Sequence, residues 1–279
     1  MAEGTSPEVC AADLDRRFGG LARLYGTAGA QKIRSAHAVV VGIGGVGSWA
    51  AEALARSGVA RLTLIDLDHI AESNINRQIH ALDSTLGQAK VQAMRERIAQ
   101  INPECDVRCI EEFVDADNWP AIAGFDLPSE GQALAIIDAC DQVRAKTAMA
   151  AWALRHNARS KAGGKVHFIT VGAAGGKRHA HKADIDDLAL VTHDPLLAQL
   201  RYRLRREHGA ARKGKIGLAC VFSREAVMQP SAGDASGSDD GMDVQSDNSL
   251  NCHGYGSVVS VTATFGICAA GWALGQIAA

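Results

Sequence analysis

The stretch Val39-Val40-Val41-Gly42-Ile43-Gly44-Gly45-Val46-Gly47 constrains this chain more than any other feature. A run of β-branched residues ends in Gly-x-Gly-Gly-x-Gly, small residues from Ser48 to Ser57 follow with helical character, and Arg61-Leu62-Thr63-Leu64-Ile65 reads as a second strand ending at Asp66. That order is a βαβ unit with a phosphate-binding turn. In such a unit Gly42 permits the tight turn, and Gly44, with Gly45 beside it, lets phosphates approach the backbone. Gly47 lets the helix pack closely while its N-terminus faces negative charge. Asp66 is placed to accept hydrogen bonds from ribose hydroxyls. Nucleotide binding is the favoured reading over a glycine turn that only packs, because strand, turn, helix, strand and carboxylate occur in the required order.

The use of the nucleotide is indicated further along. A dinucleotide oxidoreductase needs nothing special after the acidic residue, whereas this chain continues Ser73-Asn74-Ile75-Asn76-Arg77-Gln78, then Gly87-Gln88-Ala89-Lys90, then Ile136-Ile137-Asp138-Ala139-Cys140-Asp141. Arg77 and Lys90 supply cationic donors for phosphate oxygens. Asp138, at the end of an apolar strand, is suited to hold a magnesium ion. A single Lys or Arg is usually a solvated helix charge, but the arrangement of this pair after a glycine turn favours a polyphosphate site.

Over roughly residues 16 to 175 these motifs resemble the ubiquitin-activating-like adenylating enzymes, which include the activators of the thiamine and molybdopterin sulfur carriers. The resemblance implies that Arg77, Lys90 and Asp138 surround the triphosphate of ATP and that Asn74 helps orient phosphate or metal. It also implies a homodimer in which an N-terminal arginine reaches the partner subunit's ATP. Arg17 and Arg23 are the candidates, and the sequence does not separate them. Sulfur-carrier activators commonly hold zinc with two Cys-x-x-Cys pairs, but the seven cysteines here contain none, so a zinc site is not expected.

Within that family, nearly the whole chain resembles the branch whose members dehydrate threonylcarbamoyladenosine in tRNA. The resemblance rests on Arg17-Phe18-Gly19-Gly20, Ala22-Arg23-Leu24-Tyr25-Gly26, Asn76-Arg77-Gln78-Ile79-His80-Ala81-Leu82 and Gln100-Ile101-Asn102-Pro103-Glu104-Cys105. The later segments Gly214-Lys215-Ile216-Gly217-Leu218, Cys220-Val221-Phe222-Ser223 and Val261-Thr262-Ala263-Thr264-Phe265-Gly266 matter most, because sulfur-carrier activators do not share them. It implies ATP-dependent adenylation of a threonyl carboxylate, with ATP, magnesium and modified tRNA as the reactants. Whether a monovalent cation or a sulfur-transfer protein also binds stays open.

Strands are predicted near 38–43, 61–66, 106–110, 133–138 and 165–171, and helices near 47–57, 86–100 and 143–157. The fold class is α/β: a Rossmann-like, doubly wound, mostly parallel sheet, followed by a C-terminal extension of basic helix, flexible loop and apolar helix. The 279 residues are read as a disordered 1–12 and one adenylating domain over 13–279, in which 176–279 contacts tRNA. Ser231 to Gly241, small and acidic, reads as a flexible surface loop.

A net charge of −2 does not announce a nucleic-acid binder, yet Arg201, Arg203, Arg205, Arg206, Arg212, Lys213 and Lys215 face only Glu207 in their segment. That cluster is expected to track the tRNA backbone, helped by Lys177, Arg178 and Lys182. The run from Tyr255 to Ala279 lacks Asp, Glu, Lys and Arg and is long enough to span a bilayer. Its Gly, Ala, Ser and Thr content favours a buried or interfacial helix, with membrane attachment as the alternative. Cys252, beside His253, reads as a structural or incidental thiol in preference to a thiolate for acyl or sulfur transfer. Absence of paired cysteines and of a signal peptide points to a reducing cytoplasm. The rival functions are activation of a ubiquitin-like sulfur carrier, and a nicotinamide oxidoreductase or nucleotide sensor.

Overall fold

The computed structural model describes residues 12–127, 133–160, 164, 166–228 and 255–279. Seven strands form one sheet: β1 (His37–Val41), β2 (Arg61–Ile65), β3 (Asp106–Ile110), β4 (Leu134–Asp138), β5 (His167–Val171), β6 (Ala183–Asp187) and β7 (Ala219–Ser223). Their spatial order is β3-β2-β1-β4-β5-β7-β6. All pairings are parallel except β6 with β7. The central strands carry apolar residues on both faces, as a parallel sheet covered by helices on each side requires. β4 is buried along its whole length.

Helices α1 (Leu14–Phe18) and α2 (Gly20–Ser35) precede the sheet. They are followed by α3 (Gly47–Arg56), α4 (Lys90–Ile101), α5 (Val143–Arg159), α6 (Pro195–Glu207) and α7 (Val259–Ala278). One face of the sheet is covered by α2, α3, α4 and α7, where Ile33, Leu54, Met94 and Phe265 share a core. The other is covered by α5 and α6, through Met149, Ala150, Leu197 and Leu200. This is the doubly wound arrangement expected.

The predicted strands and helices fall within a few residues of the observed ones, with one difference at the start of α4. Residues 86–89 remain a loop in which Gly87 has φ +81°, so α4 begins at Lys90 and presents that side chain from its first turn. β6 and β7 extend the sheet beyond the five strands predicted. The apolar C-terminal helix is a packed element: α7 is long and apolar enough to cross a bilayer, but half of it is buried, chiefly against α3 and also against α2 and β5. Residues 1–11, the 231–241 segment and Cys252 lie outside the described residues.

Strand register places the ends of the central strands at one level. Val41 pairs with both Ile65 and Asp138, and Asp138 pairs with Thr170. The turn after β1, Asp66 after β2, and the ends of β4 and β5 therefore share the carboxyl edge of the sheet, where open α/β sheets bind ligands.

Candidate nucleotide site

The glycine turn is fixed from both sides. Gly42 has φ +84°, and a Cβ there would lie 2.8 Å from the Cys140 amide nitrogen. The turn after β4 thus presses against the turn after β1, and the Ala139 amide donates to the Val41 carbonyl at 2.8 Å. Gly47 admits no side chain because a Cβ would overlap the Gly42 carbonyl oxygen. Gly44, by contrast, has open space above it: a Cβ there would find its nearest neighbour, Gln78 Nε2, 3.9 Å away. α3 starts at this turn without a side-chain cap, so its N-terminal amides face that opening.

Asp66 fastens the turn. One carboxylate oxygen accepts from the Ile43 amide at 2.6 Å and the other from the Asp68 amide at 2.9 Å. Burial raises its pKa, with the Lys90 cation and the two amides opposing that rise. Each carboxylate oxygen keeps a further lone pair for another donor.

Arg77 lies over the turn. Its Cγ and Cδ sit 3.2 and 3.3 Å from the Cβ position of Gly45, and its carbonyl accepts from Trp49 Nε1 of α3 at 2.9 Å. The guanidinium donates to the Ser73 carbonyl and to Asn76 Oδ1, leaving further N–H groups for an anion. Asn74, expected to orient phosphate or metal, is buried, and its Oδ1 accepts from the Ala71 amide at 3.1 Å. This bond shapes the loop that carries Arg77. Lys90 Nζ, almost fully buried, meets Asp68 Oδ2 at 2.6 Å. Asp68 is more than half exposed, so Lys90 can exchange this partner for a phosphate oxygen.

The largest difference from expectation surrounds Asp138. Lys146, in the first turn of α5, is fully buried and donates to Asp138 Oδ1 at 3.1 Å, to the Asp138 carbonyl at 3.3 Å and to Thr170 Oγ1 at 3.1 Å. Thr170 in turn donates to Asp138 Oδ2 at 2.6 Å. The Cys140 amide and thiol both point at Oδ1. Asp138 is thus a neutralised carboxylate with both oxygens engaged. Burial pushes the Cys140 thiol well up, and the neighbouring Asp138 charge adds to the rise, so Cys140 is no thiolate. Lys146 escapes a sequence reading because lysine on a helix is ordinarily at the surface.

The two N-terminal arginines now separate. Arg17 donates to the Ile101 carbonyl at the end of α4 at 2.8 Å, on the edge of the sheet opposite the glycine turn. Arg23 is exposed on α2. The exposed cations of α6 and the following turn lie on the α5–α6 side of the sheet, away from the glycine turn.

A doubly wound sheet with this turn, acidic tip and pair of cations defines a nucleotide-binding enzyme of the adenylating class. The ThiF family model matches residues 16–179, and the chain belongs to that family. It is 44% identical to the tRNA threonylcarbamoyladenosine dehydratase of Escherichia coli K12, over 95% of this chain and 94% of that one. The crystal structure of the E. coli enzyme in complex with ATP matches with a TM-score of 0.78 and 41% identity, covering 95% of this chain and 96% of that one. Molybdopterin-synthase adenylyltransferase of Salmonella typhimurium is 39% identical over only 36% of this chain and 40% of that one.

Proposed function

We infer that this chain is an ATP-dependent tRNA threonylcarbamoyladenosine dehydratase. The observation that carries the reading is the extent of the match: likeness to the dehydratase runs through β6, α6, β7 and α7, whereas likeness to a sulfur-carrier activator covers about a third of the chain.

The chemistry follows from the substrate. A threonyl carboxylate is a poor electrophile because its oxygen is a poor leaving group. Its oxygen attacks the α-phosphorus of ATP, the bond to the β-phosphate oxygen breaks, and pyrophosphate departs. A nucleophilic atom of the same carbamoylthreonyl side chain then attacks the acyl carbon, loses its proton, and expels AMP. The substrate has lost the elements of water and gained a ring. Because nucleophile and electrophile are tethered, good geometry alone is worth about 7–11 kcal/mol, and no enzyme nucleophile is required.

The protein's task is to hold the phosphates and balance their charge. The open backbone over Gly44 and the N-terminus of α3 receive phosphate, while Arg77 and Lys90 neutralise charge on the departing pyrophosphate. Asp66 orients the ribose. Lys90 releases Asp68 as phosphate arrives. Magnesium would enter with the triphosphate, but Asp138, with Lys146 against it and both oxygens hydrogen-bonded, does not fit a direct metal ligand in this arrangement. Its role in this reading is to lock the turn after β4 against the glycine turn. In a homodimer Arg23, free of the intramolecular bond that holds Arg17, is the better placed to reach a partner subunit's phosphates.

Lys90→Ala and Arg77→Ala are each expected to abolish AMP formation with modified tRNA and ATP while leaving the circular-dichroism spectrum unchanged. Near-normal turnover by either variant would contradict a phosphate-binding role for that residue.

A further inference from the structure

The sheet edge that binds nucleotide does not account for the basic segment at the end of α6. Residues 201–215 carry a net charge of +6 in a chain whose total is −2, so the remaining residues together carry −8. The structure divides this charge into three groups. Arg201 is structural, donating to the Leu188 and Val191 carbonyls, and Arg205 ties α6 to the following turn through the Ala211 carbonyl. Arg203 and Arg206 share one acid, Glu207. Among the described residues Arg212, Lys213 and Lys215 have no acidic side chain within ion-pair distance.

These three exposed cations are presented on an ordered loop. The turn from 208 to 217 is held at its start by the Ala210 amide on the Leu204 carbonyl and by Arg205. It is held at its end by Asp187, whose carboxylate accepts from the Ile216 and Gly217 amides at 2.8 and 2.6 Å. Such fixation serves no apolar packing of Arg212, Lys213 or Lys215, which stay exposed. On α6 itself Tyr202 is 60% exposed, with the Arg206 guanidinium 5.1 Å from its ring centre. A ring and a guanidinium offered together to solvent suit ribose and base faces as well as phosphate.

The position sets the reach. At its other end α6 is joined to the nucleotide edge, because Asp194 accepts from the Leu197 amide at the helix start and from the Ala173 amide just after β5. Thirteen helical residues span about 20 Å, so the basic end lies about that far from the carboxyl edge of the sheet.

We propose that the outer face of α6 and the turn from 208 to 217 form the docking surface for the tRNA phosphate backbone, gripping a helical stem about 20 Å from the modified base. The inference rests on the function proposed above. The surface contributes affinity and no chemistry.

The test is the triple charge reversal Arg212→Glu, Lys213→Glu, Lys215→Glu in the full-length protein. Binding of tRNA is measured against salt by filter retention, and ATP binding is measured in parallel. Each lost phosphate contact removes about 0.7–0.9 from the slope of log affinity against log salt. The expected result is tRNA binding weakened at least tenfold, a slope shallower by about 2–3, a raised KM for tRNA with kcat kept, and unchanged ATP affinity. Binding and slope equal to those of the unaltered protein would overturn the proposal. So would loss of binding to vesicles containing phosphatidylserine with tRNA affinity intact, which would make this a lipid-facing surface. Failure of the unaltered protein to dehydrate modified tRNA, with tRNA binding still sensitive to the triple reversal, would remove the function and leave the surface standing.

Discussion

Removing either partner of the Asp138–Lys146 pair leaves a full charge where no water reaches. Both side chains are 0% exposed, and an uncompensated buried charge of this kind costs about 3–5 kcal/mol. Lys146→Ala is therefore expected to lower unfolding stability by about that amount in urea titration, and Asp138→Asn combined with Lys146→Met to recover most of it. A change of under 1 kcal/mol for Lys146→Ala would contradict the pairing. Two buried histidines set a pH dependence of the same sign as a salt-bridged carboxylate, in a window that reaches up to pH 6.5. Burial lowers His37 and His80 from the ordinary 6.5 to about 4, with Arg61 adding to the shift at His37 and Lys90 at His80. Both are then neutral when folded at pH 5, whereas the unfolded chain takes up protons below 6.5. Since the unfolded state binds more protons, stability rises with pH across this window. The melting temperature should fall between pH 6.5 and pH 4, and His37→Gln with His80→Leu should flatten that fall; an unaltered slope would sink the assignment. Residues whose job is stated by spacing, such as Gly42 and Gly47, were legible in the sequence, whereas the bonds by which Asp66 fastens the turn were not. Lys146 was not, because its partner lies eight residues away and only the packing of α5 on β4 brings them together.

At the level of elements, the nucleotide site depends on α7 as well as on the βαβ unit. Gly266 lies so close to the start of α3 that a Cβ would overlap the Val46 carbonyl and stand 2.9 Å from the Ala50 amide. Thr262, one turn earlier, comes within 3.4 Å of the Cβ position of Gly45. The C-terminal helix thus forms part of the support under the glycine turn. Overpacking a contact of this kind costs about 1–3 kcal/mol. Gly266→Val is expected to lower stability by that amount and to weaken ATP binding measured by calorimetry, although residue 266 is far along the chain from the turn. Retention of full ATP affinity would show that α7 and the turn are independent. The parallel strands were readable because continuous β-branched runs mark strands buried on both faces. β6 was not, since Ala183-Asp184-Ile185-Asp186-Asp187 is an acidic edge strand whose one clear apolar residue gives no period. Its pairing with β7 is antiparallel, although α6 lies between the two strands in the chain. The α7 segment could be read as apolar and helical, while the partner it buries against could not, because stripes of small residues serve soluble cores and bilayers alike.

The molecule as a whole separates its tasks across the sheet. The glycine turn and Asp66 sit at the carboxyl edge, where β1, β2 and β4 end together. The sheet faces are filled by two apolar cores, and the exposed Arg212, Lys213 and Lys215 lie beyond the end of α6. On the docking proposal, this separation keeps the cations that grip the polymer from competing for the triphosphate. The most direct measurement is nucleoside mass spectrometry after incubating the purified protein with ATP, magnesium and tRNA bearing threonylcarbamoyladenosine. The expected result is a modified nucleoside lighter by one water, with one AMP formed for each. An unchanged nucleoside, with AMP appearing only when a Gly-Gly-ended carrier protein is supplied, would contradict the dehydratase reading and make the chain a sulfur-carrier activator.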